Sequence, residues 1–478
     1  MEEIVALGAV ALSDRIAARA LTCREVMAAY LAHIDAVNPR VNAIVSRQPA
    51  DVLLDAADAC DQELARGIYR GWLHGIPQAI KDLSPTAGIP TTFGSPLCVG
   101  QIPAADGLMV ARMKAAGAIV VGKTNTPEFG LGSQTYNPVF GATRNAYDHG
   151  LTSGGSSGGA AVALAMRMLP VADGSDMMGS LRNPAAFNNV FGFRPSFGRV
   201  PQAPSPDVFG QQLGTEGPMG RSVADLARLL STQAGPDTRA PLSIADDPAR
   251  LATDLGGDTR GLRIGWIGDW QGYLPMEDGV LNVCKQALNR LETIGCVVEP
   301  MTPDIDPGRL WRCWNTLRHW AVAGKLAPLH ADSNTRGRLK PEACWEIEHG
   351  LALSALDIHA ANVERSVWYQ VLRQCFERFD VLAIPSAQVF AFDVDTHWPA
   401  EIAGRPMDTY HRWMEVVIGA SLAGVPAINV PAGFDARGRA MGLQLIGPHQ
   451  ADIAVLRLAA AYEQAATEVL TREPAWRA

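Results

Sequence analysis

The chain has 478 residues, 47% of them hydrophobic, enough to bury a large core; length alone would suggest about three domains. Its 41 basic and 49 acidic residues leave a net charge of −8, which removes any electrostatic reason to expect nucleic acid or an anionic membrane as a partner. The eight cysteines, Cys23, Cys60, Cys98, Cys284, Cys296, Cys313, Cys344 and Cys375, form no C-x-x-C pair, a pattern that suits reduced thiols and a cytoplasmic location.

The N-terminus, MEEIVALGAVALSDR, opens with acids rather than a basic segment, so no secretory signal is expected. No apolar run approaches the ~18 residues of a spanning helix, and a soluble protein without membrane contact is expected. Residues 5–20 and 23–37 read as two amphipathic helices, the second capped by Thr22 with Glu25 three residues on and stopped at Asn38-Pro39. In Gly75-Ile76-Pro77-Gln78-Ala79-Ile80-Lys81-Asp82 an apolar, strand-like run delivers a lysine to its end. Residues 118–123 form another strand, ending at Lys123.

Thr152 to Pro184 is the most unusual stretch. Two glycine-flanked, serine-bearing turns, Gly154-Gly155-Ser156-Ser157-Gly158-Gly159 and Gly174-Ser175-Asp176-Met177-Met178-Gly179-Ser180, bracket an apolar segment. Glycine runs mark tight turns or places where amide N–H groups crowd around an anion. Between them Gly159–Met168 reads as a short buried helix and Leu169–Ala172 as a brief strand ended by Asp173-Gly174. Such a unit brings the chain back near its start, so that Ser156 and Ser180 can meet. A flexible linker is a poor match for so apolar a helix. Gly155-Ser156-Ser157-Gly158-Gly159 also fits G-x-S-x-G, a nucleophile elbow centred on Ser157, but Tyr147–Thr152 is a poor version of the strand that an elbow needs.

Residues 222–233 read as a helix capped by Ser222, and 234–260, rich in Asp, Pro and Gly, as an exposed loop within one domain. Strands at Leu262–Trp266, 297–299, 381–385, 427–430 and 441–445 then alternate with helices near 279–294, 308–326, 357–378, 410–423 and 451–466. Alternation of this kind predicts an α/β fold with a large, twisted, mixed but mostly parallel sheet covered by helices on both faces. Residues 304–415 carry Trp311, Trp314, Trp320, Trp345, Trp368 and Trp398, with Trp413 at the edge. Core packing is the simpler account of these rings; a hydrophobic pocket for an acyl or aryl group is the functional one.

The stretch from Thr152 to Pro184 resembles the amidase-signature family of Ser-Ser-Lys hydrolases. Ser180-Leu181-Arg182-Asn183-Pro184 matches the family's S-[apolar]-R-x-P ending, and Ser156 lies 24 residues before Ser180, as the family's second serine does. Gly75–Asp82 resembles its lysine motif; 124–130, Gly192-Phe193-Arg194-Pro195-Ser196 and Thr215–Asp225 continue the likeness. The resemblance implies one amidase domain over 1–478, with the signature core at about 70–225 and a variable substrate region at about 304–415. It implies Ser180 as nucleophile, Ser156 as proton carrier after a cis Gly155–Ser156 bond, and Lys81 rather than Lys123 as base. Backbone amides of Met177, Met178, Gly179 and Ser180 would form the oxyanion hole, with Asp176, Arg182 and Ser157 in support. The chain departs from the family at Met177 and Met178, where Gly or Ala is usual; their N–H groups survive the change.

The chemistry fits these residue types. A serine hydroxyl is a weak nucleophile and an amide a poor electrophile, so a base and oxyanion donors are needed. No histidine lies in a recognisable triad motif or at metal spacing such as H-E-x-x-H, and no cofactor or metal is expected. A lysine base must be neutral, which means lowering its pKa from about 10.4 to ~7–8, roughly 3–4 kcal/mol that burial or a nearby cation supplies. The expected activity is hydrolysis of small carboxylic amides, aryl or bulky apolar, through an acyl-enzyme, with possible esterase or carbamate activity, by a monomer or homodimer. The same signature occurs in glutaminase subunits of tRNA-dependent amidotransferases, but these look to an arginine after the strand near residue 385, and Pro385–Asp393 is apolar and then acidic. A non-catalytic binding protein on a degenerate hydrolase fold is the remaining alternative, suggested by Met177 and Met178.

Overall fold

A computed structural model describes residues 2–210 and 212–476. Three strands near the N-terminus, β1 (Ile44–Val45), β2 (Pro77–Lys81) and β3 (Ile119–Thr124), form a small sheet in the order β1-β3-β2. A larger, eight-stranded sheet is built from β4 (Val171–Asp176), β5 (Phe191–Arg194), β6 (Thr215–Gly220), β7 (Arg263–Trp266), β8 (Val297–Pro300) and β9 (Val381–Pro385). After the two-residue pair β10 (Glu401–Ile402) and β11 (Arg405–Pro406), its last strands are β12 (Ala427–Phe434) and β13 (Ala440–Ile446). The order is β4-β6-β5-β12-β13-β9-β7-β8.

The sheet is large and mixed as expected, but it is not mostly parallel. From β4 through β6, β5, β12 and β13 to β9 every pairing is antiparallel; only β9 to β7 and β7 to β8 run parallel. The reason lies in the connections. Helix–strand alternation holds where Val280–Thr293 joins β7 to β8 and long helices lead to β9, whereas β12 turns into β13 within a few residues. Parallel neighbours need a crossover of a dozen or more residues, and hairpins do not.

Other elements also differ from the sequence reading. The helix at Cys23–Val41 carries the expected capping box, with Glu25 N–H donating to Thr22 Oγ1 at 3.0 Å, yet it runs through Pro39. Pro39 has no N–H to donate to Asp35 O, so the helix gives up that bond and ends two residues later, at Val41. Asn42 closes the helix in the left-handed conformation, and Asn38 Oδ1 accepts the N–H groups of Ala43 and Ile44, both at 2.9 Å, turning the chain into β1. Strand β4 continues through Asp173-Gly174 to Asp176, because β6, which the sequence did not suggest as a strand, pairs with it residue by residue from Val171↔Gly220 to Asp176↔Thr215.

The helix Gly158–Ala165 is buried on all sides. Its N-terminal turn lies directly on β3's end, where Gly159 N–H donates to Asn125 O at 3.2 Å. A Cβ on Gly159 would stand 2.3 Å from Asn125 N and 2.6 Å from Ala43 O, both backbone atoms that cannot swing away. In contrast, a Cβ on Gly324, on the exposed side of helix Pro307–Ala331, would meet nothing within 4 Å. Gly159→Ala is therefore expected to lower the free energy of unfolding by ~1–3 kcal/mol or more, and Gly324→Ala to raise it by up to ~1 kcal/mol. Urea midpoints of the two variants check both signs.

Candidate active site

Strand β2 ends with Lys81 fully buried, its backbone N–H donating to the Asp173 carboxyl group at 3.1 Å from Oδ2. Its Nζ is surrounded by hydroxyl and carbonyl oxygens: Ser156 Oγ at 2.8 Å, Ser157 Oγ at 2.8 Å, Ser175 Oγ at 3.0 Å and Ser175 O at 3.3 Å. Among the described residues no carboxylate touches it. Burial disfavours the charged amine and brings its pKa from 10.5 down to about 7, against the more distant pull of Asp173, Asp176 and Glu216. A neutral amine donates two hydrogens and keeps a lone pair, so it can take a proton from one of these hydroxyls.

The first serine turn is fastened from outside. Ser133 Oγ donates to Gly155 O at 2.6 Å and accepts from Gly155 N–H at 3.1 Å, and Thr135 Oγ1 donates to Gly154 O at 2.7 Å. The Gly155–Ser156 peptide bond is cis, as the resemblance implied. Ser157 N–H donates to Ser180 O at 3.3 Å and so joins the two turns. Ser156 and Ser180 are both nearly buried and line one cavity of about 490 Å³; Ser157 does not line it. With its Oγ on Lys81 and Ser175, Ser157 is poorly placed to be the nucleophile of an elbow, and no strand precedes it.

Asp176 shapes the second turn. Its Oδ1 accepts Gly179 N–H at 2.9 Å and its Oδ2 accepts Leu181 N–H at 3.1 Å, while Arg182 grips both oxygens at 3.0 Å. Arg194, whose place in this network the sequence did not suggest, reaches Asp176 Oδ1 at 3.3 Å and its carbonyl at 2.5 Å. Burial alone would raise this carboxyl's pKa, but the two guanidinium groups outweigh it and hold it well below the usual carboxylate range. Since the Gly179 N–H is committed to Asp176, the expected set of four oxyanion donors contracts to Met177, Met178 and Ser180, whose N–H groups have no protein acceptor among the described residues. Gly179 has φ +80°, and a Cβ there would fall 2.4 Å from Asn183 Oδ1.

Lys123 is also buried, with a pKa lowered to about 8 by burial, but its Nζ bonds Ser84 O at 2.6 Å and Thr86 Oγ1 at 2.7 Å, away from the serines. Two acids behind the site were missed by the sequence reading. Asp173 is raised by burial to about 6, and Glu216, which lines the cavity and accepts from Ser84 Oγ at 2.8 Å, to about 7. Each stands among small and polar neighbours, in VADGSD and TEGPMG, so the sequence carried no signal of its burial.

Among the described residues no tryptophan lines this cavity. Trp314, Trp368 and Trp413 are in the core, and the variable region instead contributes Arg318, Ala321, Val322, Lys325 and Leu326 from the helix Pro307–Ala331, and Met414. Phe93, Phe129, Leu131, Met177 and Met178 complete the apolar wall. Cys60, Glu63 and His74 bring ligand-type atoms within 4.8 Å of one another. Both His74 nitrogens are already used, Nε2 with Cys60 O at 2.9 Å and Nδ1 with Arg70 N–H at 3.3 Å, and Glu63 pairs with Arg70, so the trio is closed on itself.

The fold and this buried serine–lysine cluster define an amidase-signature enzyme. A family model described as Amidase matches residues 25–456, and the chain belongs to that family of hydrolases acting on amide C–N bonds. It is 34% identical over 465 residues to an acylamidase of Rhodococcus erythropolis, covering 96% of this chain and 95% of that one. It is equally 34% identical, over 484 residues, to one of the subunits of the glutamyl-tRNA(Gln) amidotransferase of Thermus thermophilus, covering 96% and 97%. Among solved structures it resembles a bacterial aryl acylamidase with a TM-score of 0.90, 27% identity and 98% and 99% coverage. The peptide amidase of Stenotrophomonas maltophilia gives a TM-score of 0.80 at 28% identity, covering 98% of both chains. No helix among the described residues is long and apolar enough to cross a membrane.

Lys81 also carries a stability signature. Its folded pKa of about 7 is below the unfolded value of 10.5, so between these pH values the unfolded chain binds the extra proton, and stability rises with pH across that window. Lys81→Met lacks this group. Stability of the wild type relative to Lys81→Met is expected to rise by several kcal/mol between pH 7 and 10; urea unfolding of both at each pH reads it, and a flat difference would contradict a depressed amine.

Proposed function

We propose that the protein is a serine amidase that cleaves carboxylic amides through an acyl-enzyme, with Ser180 as nucleophile, Ser156 as proton carrier and Lys81 as base. The observation that carries this is the buried Lys81 Nζ at 2.8 Å from Ser156 Oγ, in a cavity that both serines line. Ser180 attacks the carbonyl carbon as its proton passes to Ser156 Oγ and the Ser156 proton passes to the Lys81 lone pair. The N–H groups of Met177, Met178 and Ser180 are the donors for the developing oxyanion. On collapse Ser156 gives a proton to the leaving nitrogen and takes one back from Lys81; water then cleaves the ester by the same route. Asp176 and Arg182 keep the turn in shape, and Ser157 holds the lysine.

Substrates of this cavity are amides with aryl or bulky apolar groups. Phe93, Phe129, Met178, Val322 and Leu326 favour them, as does similarity to an acylamidase and an aryl acylamidase. An acyl-enzyme route also accepts ester and carbamate leaving groups. The similarity to amidotransferase subunits favours a second function, release of ammonia from glutamine. Against it, the segment Pro385–Ala391 is buried and holds no cation of its own to meet the glutamine carboxylate. A panel of anilides, aryl amides, aryl carbamates, acetamide and glutamine separates these functions: the anilides and aryl amides should lead, and faster turnover of acetamide or glutamine than of every aryl substrate would overturn the aryl assignment.

Ser180→Ala, Ser156→Ala and Lys81→Ala should each stay folded and lose at least ~10³-fold in kcat/KM. In the wild type kcat/KM should fall on the acid side with a midpoint near the Lys81 pKa of about 7, because only the unprotonated amine accepts a proton. Full activity of Ser180→Ala, or loss confined to Ser157→Ala, would remove the assignment.

A further inference from the structure

The cavity wall contains a buried cation that the proton relay does not use. Arg318 is 3% exposed and lines the cavity from the helix Pro307–Ala331. Two edges of its guanidinium are firmly held: Nε donates to Glu346 Oε1 at 2.5 Å and Nη2 to Tyr410 OH at 2.5 Å. Tyr410 OH donates in turn to Glu346 Oε1 at 2.6 Å, and His319 Nδ1 meets Glu346 Oε2 at 2.6 Å. The third edge is different. Nη1 carries two N–H groups, and its recorded partner is the thioether sulfur of Met177 at 3.7 Å, a weak acceptor.

A buried donor with so poor a partner gains from a better one. Met177 supplies a backbone N–H to the proposed oxyanion site while its side chain lies against Arg318, so a substrate held by Ser180 passes close to this edge. Charge selects the partner. Glu346 already neutralises the guanidinium at short range, which leaves a directional donor with little net charge. Such an edge suits a neutral oxygen better than a second carboxylate. Lys325, about two turns further along the same helix, also lines the cavity but is exposed to solvent.

Resting on the amidase assignment above, we propose that Arg318 is a specificity-determining residue, whose Nη1–H groups bind a neutral oxygen acceptor on the substrate, such as a second carbonyl or a sulfonyl oxygen, in place of the Met177 sulfur. The enzyme then prefers amides that carry such an oxygen over otherwise identical hydrocarbons.

The test uses full-length Ser180→Ala protein and calorimetric Kd values for hexananilide, its oxo analogues with the ketone at successive chain carbons, and the matching chain ending in carboxylate. One oxo position is expected to bind about ten-fold tighter than the parent, and the carboxylate no tighter than that oxo analogue. Adding Arg318→Gln with Glu346→Gln, which removes both charges together and leaves no buried ion unpaired, should bring the ratio to within about two-fold. Met177→Leu, which removes the competing sulfur and keeps the arginine, should increase the ratio; it decides the matter if the double change does not fold. No gain at any chain position, a gain that survives loss of Arg318, a ratio unmoved by Met177→Leu, or tightest binding of the carboxylate overturns the inference. Because binding is read without turnover, a wild type that cleaves none of these anilides while the ratio stands would refute the amidase assignment and leave the Arg318 site intact.

Discussion

A lysine amine buried among hydroxyl and carbonyl oxygens, with no carboxylate in contact, is the constraint on which the rest of the site depends. Had Asp173 or Glu216 reached Nζ, the pair would hold the proton and Lys81 would be a structural cation. Instead Asp173 binds the backbone N–H of Lys81, and Glu216 is tied to Ser84. The nitrogen is thereby left to Ser156, Ser157 and Ser175, all supplied by the two glycine-rich turns. Lys123 is a useful contrast, since it is equally buried yet spends its donors on Ser84 O and Thr86 Oγ1.

The second constraint is the opposite one, a carboxylate held charged. Asp176 is enclosed by Arg182 and Arg194 and binds the N–H groups of Gly179 and Leu181, fixing the turn on which Ser180 sits. Removing one partner from such a cluster leaves an uncompensated buried charge, which costs about 3–5 kcal/mol. The turn is therefore rigid because of its charges, while the lysine beside it is reactive because it lacks a partner. Strand β4 links the two environments: it carries both Asp173, which touches the lysine strand, and Asp176, which holds the serine turn.

Much of the site was legible in sequence because its residues are local. Ser156, Ser157, Asp176, Ser180 and Arg182 fall within one stretch whose glycines mark the turns, and Lys81 stands at the end of a readable strand. What was hidden depends on contacts between distant segments. Arg194 joins Asp176 only because β5 lies in the same sheet, and Arg318, Glu346 and Tyr410 meet from two helices and a turn. Sheet direction was misjudged for a related reason: helix–strand alternation between residues 263 and 385 was extended to segments joined by hairpins. Tryptophan content signalled burial rather than binding. Ring size alone does not say which side of a helix faces the cavity.

The neutrality of Lys81 can be observed without any substrate. The chain has only six lysines, so ¹³C labelling at their ε carbons gives a spectrum in which the Lys81 signal is assigned by its loss in Lys81→Met, and distinguished from Lys123 in the same way. Titration of that signal in the folded protein should have its midpoint near pH 7. A midpoint near the ordinary lysine value of about 10.4 would mean a charged amine at neutral pH, one that cannot draw the proton from Ser156.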